Sequence, residues 1–315
     1  MRVADLFAGW GGASLGAEQA GAEVVLAANH WPLAVDAHAM NHPNVRHLCQ
    51  DLNQANFHAF PDHDVLWASP SCQGNSRAAQ PVRKLKGDIQ SKHDQLRNTA
   101  WAVVNCVEAK RPQAVLIENT IDFRKWVLYD LWISALERLG YAVEQHLAMA
   151  TGFGVPQLRE RLIIVATRSN APLGLVMPTG PEIPFGPCID WNNEHVDPRE
   201  RGWKPIASKP IKVRQRVAKA RAMGHGERFL TQYTSDHSGI GLDQSIRTIT
   251  TKSQWALVDR DQIRMLRVRE IARAMGFPET YSWPKARKED QIKGLGNAVA
   301  PPMARWLVER VMEAA

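Results

Sequence analysis

Cysteine is scarce in this chain of 315 residues. There are four, Cys49, Cys72, Cys106 and Cys188, and no two of them stand as Cys-x-x-Cys. That spacing argues against a zinc site and a disulfide framework, so no metal is expected and a reducing, cytoplasmic compartment fits. No apolar run reaches the roughly 18 residues of a membrane-spanning helix. The N-terminus, Met1-Arg2-Val3-Ala4-Asp5-Leu6-Phe7, lacks the apolar segment and cleavage site of a signal peptide. Internal repeats and low-complexity tracts are absent, which excludes solenoids and disordered linkers. Acidic residues are in deficit: 32 Asp and Glu face 39 Lys and Arg, for a net charge of +7. Such an excess suits a polyanionic partner, because Lys and Arg displace the counterions condensed on phosphates. A hydrophobic content of 44% and a charged content of 23% are those of a soluble globular enzyme. The length exceeds one ordinary core, so a large domain with a smaller one is expected.

What is present is alternation. Short apolar runs at 2–7, 23–28, 64–68, 114–118 and 161–167 read as strands. Helical patterns at 13–21, 33–41, 92–110 and 126–139 separate them. Strands alternating with helices predict an α/β fold with a parallel, doubly wound sheet. After residue 168 the character changes. Pro and Gly cluster at 172–187, periodicity stays weak to about 211, and basic residues recur at Lys204, Lys209, Lys212, Arg214, Arg216, Lys219 and Arg221. Helical patterning returns from 266, and 303–315 has apolar residues placed to pack back on the first sheet. The expected division is a discontinuous domain of 1–168 plus 262–315 and a smaller, irregular one of 169–261. Cys49 and Cys106 lie among apolar residues and read as small core side chains.

Several turns and strand ends offer chemistry. Asp5-Leu6-Phe7-Ala8-Gly9-Trp10-Gly11-Gly12 places glycines between the first strand and first helix. Ligands of open parallel sheets sit at the carboxyl ends of strands, where glycine admits close approach. An ordinary strand–helix turn accounts for these glycines equally well. Asn29-His30-Trp31 ends the second strand, where a ribose would lie and where Trp31 would stack on an adenine; a plain core or surface Trp is the competing reading. Asp51 stands where it would accept from an adenine amino group or simply cap a turn. Cys72 follows a strand end in Ser69-Pro70-Ser71-Cys72-Gln73-Gly74, and Glu118 ends a later strand. A thiolate and a carboxyl group at one sheet edge suggest covalent catalysis with acid assistance. Arg159 and Arg161, two apart, share one face of a strand, as they also would in a solvated, salt-bridged edge.

Order along the chain adds what single motifs lack. Asp5–Gly12, Cys72-Gln73, Glu118-Asn119-Thr120 and Gln157-Leu158-Arg159-Glu160-Arg161 are followed by two late motifs. These are Arg269-Glu270-Ile271-Ala272-Arg273-Ala274-Met275-Gly276-Phe277-Pro278 and Gly296-Asn297-Ala298-Val299. This series resembles the DNA cytosine-5 methyltransferase family, in the family's order, from residue 3 to about 310 except most of 169–245. The resemblance implies a Rossmann-like, S-adenosylmethionine-dependent methyltransferase domain with a target-recognition domain, acting on double-stranded DNA. By it, Cys72 is the thiolate that adds to cytosine carbon 6, and Glu118 the acid at ring nitrogen 3 and the exocyclic amine. Arg161 binds the cytosine carbonyl oxygen and Arg159 supports the same pocket. The base must be flipped from the stack. Asp5, Phe7, Gly9, Gly11, Gly12, His30, Trp31, Asp51, Pro70 and Asn297 fall at cofactor positions. Gln73, Ser76, Arg247 and Thr248 fall at DNA positions.

The chain departs from the family at several of these places. Ser71 stands where a second proline is usual before the cysteine, which predicts a less fixed backbone. His30 replaces the usual ribose-binding acid, Ala13 a frequent Phe, and Thr120 a Val. These changes leave room for a modified S-adenosylmethionine, for example one donating a carboxymethyl group. Two rival functions stand beside it: an RNA methyltransferase of the same fold, and a non-catalytic DNA-binding relative. Cys72-Gln73-Gly74 does not resemble the Cys-Phe-Thr loop of the RNA relatives. The expected setting is a monomer in the cytoplasm of a bacterium, or a phage product there, with or without a cognate restriction endonuclease.

Overall fold

The computed structural model describes residues 1–71, 87–191, 202–232, 239–252 and 255–315, with residues 87–98 described by their backbone alone. The larger unit contains strands β1 (Arg2–Leu6), β2 (Glu23–Asn29), β3 (Arg46–Cys49), β4 (Val65–Ala68), β5 (Ala114–Asn119) and β6 (Ala142–Met149). The two-residue strand β7 (Gln157–Leu158) follows, then β8 (Glu160–Thr167). Helices α1 (Gly12–Gln19), α2 (Pro32–Asn41), α3 (Gly87–Lys110) and α4 (Tyr129–Arg138) alternate with them. All but β7 form one sheet in the order β3-β2-β1-β4-β5-β8-β6. The α/β expectation holds, and β1 to β5 run parallel. At the far edge β8 lies antiparallel between β5 and β6. β6 was not expected. Only residues 150–159 join it to β8, less than the helical crossover a parallel pair requires.

Both faces of this sheet are covered, which is why its strands read as continuous apolar runs. One face, with Leu6, Leu26, Leu66, Val115, Ile117 and Ile164, packs under α3 and α4. Helix α4 supplies Tyr129, Trp132, Ile133 and Leu136, the spacing of a single helical stripe. The other face, with Val3, Val65, Trp67, Leu116, Ile163 and Val165, packs under α1 and the last helix, α8 below.

The stretch from 169 to 261, expected to be irregular, instead contributes most of a second sheet. Its strands are β9 (Lys204–Pro205), β10 (Arg228–Gln232), β11 (Ile240–Gly241), β13 (Trp255–Asp259) and β14 (Gln262–Met265), in the antiparallel order β11-β10-β13-β14-β9. Strand β12 (Ile246–Arg247) leaves this sheet and pairs with β7. These strands are two to five residues long, too short for alternation to show. The β13–β14 turn uses a left-handed Arg260 (φ 48°) in place of the usual Asn-Gly signal.

Helix α5 (Ile211–Ala222) covers one face of the second sheet. Helices α6 (Val268–Arg273) and α7 (Lys288–Asn297) cover the other, where Ile271, Ile292 and Leu295 pack with Leu230, Trp255 and Leu257. The division expected at 261/262 therefore falls inside the β13–β14 hairpin, and residues through Ala298 share a core with the small sheet. Helix α8 (Pro301–Glu313) packs on the large sheet beside α1, as expected. Cys106 is buried as expected. Cys49 is exposed, because it ends β3 on the open edge of the sheet.

Candidate active site

A cavity of about 240 Å³ opens at the carboxyl ends of β1, β2, β4 and β5. Its walls come from six places in the chain: the β1–α1 turn, the β2 end, the loop after β4, the β5 end, the start of β8 with Arg159 before it, and the C-terminal half of α7. Phe7, Gly9, Asn29, His30 and Trp31 line one side, Pro70 and Glu118 another, and Lys293, Gly294, Gly296 and Asn297 a third.

The β1–α1 turn is built from left-handed residues. Phe7, Gly9 and Gly11 have φ of 63°, 54° and 78°. For a bulky side chain this conformation costs about 1–3 kcal/mol and recurs at ligand sites. Phe7 lines the cavity and packs against the core of the large sheet. A methyl group on Gly9 would meet nothing nearer than the Phe7 carbonyl oxygen at 3.8 Å, so Gly9 leaves space for a ligand. Gly11 and Gly12 do something else. A methyl group on Gly11 would strike the Tyr281 hydroxyl, and one on Gly12 the Val299 carbonyl oxygen. Those two glycines admit the returning chain rather than a ligand, and neither lines the cavity. Asp5 is also outside it. Its carboxylate accepts from Ser14 Oγ at 2.7 Å, and burial pushes its pKa up to about 7. Asp51 takes the capping role: it accepts from the Asn53 backbone N–H at 3.0 Å, is exposed, and does not line the cavity.

Glu118 and Arg161 meet across neighbouring strands. Arg161 Nε donates to Glu118 Oε1 at 2.7 Å, and both side chains are nearly buried. Arg161 also donates to the Glu160 carbonyl at 2.8 Å, which uses two of its five N–H groups and leaves donors for a ligand. Arg159 also borders the cavity, yet its guanidinium is committed elsewhere. It donates to the carbonyls of Ile249 (3.1 Å), Gly296 (3.0 Å) and Ala298 (3.0 Å). It ties the link between β7 and β8 to the segment after β12 and to the end of α7.

Gln157 works in the same way and was not singled out from sequence. It donates to the Ala274 carbonyl and accepts from the Ile249 N–H at 2.8 Å, with no exposure. In the Gln-x-Arg-x-Arg motif, two residues assemble the junction and the third faces the cavity. Thr248 Oγ1 donates to the Leu158 carbonyl at 2.7 Å, and Arg247 is exposed.

Cys72, Gln73 and Ser76 lie outside the described residues. The loop leading to them is fixed at both of its last two residues. Asn119 Nδ2 donates to the Pro70 carbonyl at 3.0 Å, and the Ser71 N–H donates to Thr99 Oγ1 at 3.1 Å. A proline at position 71 has no N–H to give. The less fixed backbone expected of Ser71 is thus corrected: its N–H supplies the restraint that a proline ring would. Lys293, absent from the expected set, places Nζ 4.5 Å from the centroid of the Trp31 ring.

The residues present fit S-adenosylmethionine. Two aromatic faces, Phe7 and Trp31, suit a purine, the space at Gly9 suits close approach, and His30 and Asn297 offer polar contacts. Fold and site together define an S-adenosylmethionine-dependent methyltransferase. The chain belongs to the C-5 cytosine-specific DNA methylase family, whose model matches residues 1–185 and 190–313. It is 26% identical to the Type II methyltransferase M.NlaX of Neisseria lactamica over 100% of this chain and 97% of that one. It is 25% identical to M.HhaI of Haemophilus parahaemolyticus over 99% and 94%. The fold matches that of a protein described as a DNA modification methyltransferase encoded within an E. coli prophage (TM-score 0.73, 18% identity, 99% of each chain). It also matches S. pombe Dnmt2 (TM-score 0.69, 20% identity, 100% and 99%). The protein is a DNA (cytosine-5)-methyltransferase that uses S-adenosyl-L-methionine. The rival expectations of a modified donor or a non-catalytic role find no support in these matches.

Proposed function

We propose that methylation proceeds through a covalent adduct on Cys72. The Cys72 thiolate adds to carbon 6 of a flipped cytosine, and the displaced electron pair makes carbon 5 nucleophilic. S-adenosylmethionine, when bound, supplies the methyl group that carbon 5 takes. Loss of the carbon-5 proton then restores the ring and expels Cys72. Glu118 holds ring nitrogen 3 and the exocyclic amine, and Arg161 donates to the carbonyl oxygen, so both stabilise charge as it develops. The observation that carries this reading is the Glu118–Arg161 pair inside the cavity, beside the pinned Pro70-Ser71 loop that leads directly to Cys72. The other cysteines are poor candidates. Burial pushes Cys106 and Cys188 up to about 12, which keeps them as thiols at neutral pH, and Cys49 does not line the cavity.

DNA substituted throughout with 5-fluorocytosine tests the adduct, since fluorine cannot leave as a proton does. Wild-type protein with cofactor should form a denaturation-resistant complex, and Cys72→Ala none. Methyl transfer to ordinary DNA by Cys72→Ala at the wild-type rate would overturn the assignment. Glu118→Gln, whose amide oxygen can still accept from Arg161, is expected to lower kcat by about 10²–10⁴-fold in a protein that still unfolds cooperatively in a denaturant melt.

On the cofactor side we assign contacts to Phe7, Gly9, His30, Trp31, Pro70 and Asn297, and a scaffolding role to Asp5, Gly11 and Gly12. Asp51 acts as a turn cap. Gln73, Ser76, Arg247 and Thr248 are assigned to the DNA. The small sheet with 169–261 serves target recognition, the protein acts as a monomer, and its relatives' designation as Type II methyltransferases supports a cytoplasmic restriction-modification setting, with or without a cognate endonuclease.

A further inference from the structure

The positive charge of this protein is concentrated in one place. Between Gly202 and Gly226 there are seven Lys and Arg and no Asp or Glu. Taking those seven from the 39 in the chain leaves 32, equal to its 32 Asp and Glu. The entire net charge of +7 therefore resides on α5 and the segment leading into it.

The fold sets this charge apart from the catalytic cavity. α5 buries Val213, Val217 and Ala220 against Phe229, Ala256, Val258 and Ile263, on one face of the small sheet. The opposite face, with Leu230, Trp255 and Leu257, meets α6 and α7 at the junction where Arg159 and Asn297 lie. At about 100° per residue the basic side chains flank the buried stripe in two rows. Lys212, Arg216 and Lys219 form one row, and Arg214 and Arg221 the other. Two of them are aimed by backbone carbonyls: Arg216 donates to Gln232 and Arg221 to Arg260. The crest between the rows is slim, with Gln215, Ala218 and Ala222. Rows on either side of a helix about 10–12 Å across match the phosphates bordering a groove about 12 Å wide. Lys219 and Arg221 stand in the last turn, where the helix dipole favours them, but the charges of the first turn do not stabilise the helix. Its first turn holds Lys212 and Arg214 and no acid, against the preference of the helix dipole.

We propose that α5 and Lys209 form a second, sequence-independent contact to the phosphate backbone of duplex DNA, separate from the cleft that holds the flipped cytosine. It holds the enzyme on DNA while the cleft searches for its target.

The test uses the full chain with Lys209, Lys212 and Arg214 changed together to Gln. Binding to a labelled duplex of random sequence, about 40 base pairs long, is followed from about 50 to 250 mM salt. Each lost phosphate contact removes about 0.9 from the slope of log K against log salt, so the slope should shrink by about 2–3. Affinity at low salt should fall at least about 10-fold. Methyl transfer at saturating plasmid DNA should keep its kcat, a readout that separates this proposal from the assignment of Cys72. A variant that exchanges charge for charge (Lys209→Arg, Lys212→Arg, Arg214→Lys) should bind like wild type, which guards against misfolding. An unchanged slope in the Gln variant overturns the proposal. So does a wild-type slope for DNA accompanied by lost binding to vesicles of phosphatidylglycerol, which would make the partner a membrane surface. A fall in kcat with binding would place α5 in the methylation cleft itself and overturn the separation.

Discussion

The two sheets of this protein are held by different forces. The large sheet is clamped between two apolar layers, and its cores are almost wholly Leu, Val, Ile, Ala and aromatic side chains. The small sheet has an apolar layer on each face too, but buried ions are added where it meets α6. Arg264 of β14 and Glu270 of α6 pair bidentately at 2.8 and 2.6 Å with no exposure on either side chain. Glu270 also accepts from the N–H groups of Arg267 and Asp190, and Arg267 reaches Asp190 in turn. Arg159 and Gln157 extend the pattern to the cavity. Apolar layers tolerate small slides. A bidentate ion pair whose carboxylate also accepts two backbone N–H groups does not, so the junction gains a fixed geometry at the cost of desolvation. Of these groups Arg159 borders the cavity, so the fixed geometry reaches the site through it.

If this contrast is right, the largest effect on stability comes from breaking the junction on one side only. Glu270→Ala leaves Arg264 and two N–H groups without their acceptor, and should cost about 3–5 kcal/mol. Replacing both partners with apolar residues of similar size, Arg264→Met with Glu270→Leu, should recover much of that loss in a denaturant melt. Activity should not recover with it. Equal losses for the single and double variants would mean that the ions supply stability and not alignment.

The large sheet should answer differently. Leu116→Ala removes a fully buried side chain from its centre and should cost about 2–5 kcal/mol, with kcat nearly unchanged in the folded fraction. A kcat loss out of proportion to the melt would show that the sheet transmits strain to the cavity, and the contrast would fail.

This difference also explains what was legible. Strands buried on both faces announce themselves as apolar runs, so β1, β2, β4, β5 and β8 were expected within a residue or two. β6, half exposed with Glu144, Gln145 and His146 in it, carried no such run. The small sheet was missed because its strands are two to five residues long, and because Arg264, which joins it to α6, reads as surface. At the site, Glu118 and Arg161 were legible through motif order. The packing roles of Gly11, Gly12, Arg159 and Gln157 depend on partners distant in the chain. The capping by Asp51 was one of the two roles its position offered. Lys293 meets Trp31 only because α7 returns across the turn.

A smaller, pH-dependent effect sits under the cavity turn. Asp5, Ser14, His38 and His47 form a continuous chain of hydrogen bonds. Burial pushes Asp5 up to about 7 from an ordinary 3.8 and holds His38 well below its ordinary value. A carboxyl raised in the folded state lends stability that is complete below its ordinary 3.8 and lost as pH rises toward about 7. Asp5→Asn lacks that loss, so its melting temperature should gain on wild type by a few degrees between about pH 5 and 7.5. His38 acts in the opposite direction in both proteins and cancels in the difference. A constant gap across that range would mean Asp5 is ionised in the folded protein.

The smallest expected effect crosses between the two regions. The Lys293 ammonium, carried by α7, lies over the ring of Trp31, carried by the large sheet, and both line the cavity. A purine stacked on that face must displace the ammonium, and an exposed cation–π contact is worth about 0.5–1 kcal/mol. Lys293→Met removes the competitor. Its KM for S-adenosylmethionine should fall by about two- to five-fold, with kcat and melting temperature unchanged. A rise in KM of the same size would instead make Lys293 a contact of the bound cofactor. In that case the junction would hold the methyl donor directly, and the division between a sheet that binds and a junction that aligns would have to be redrawn.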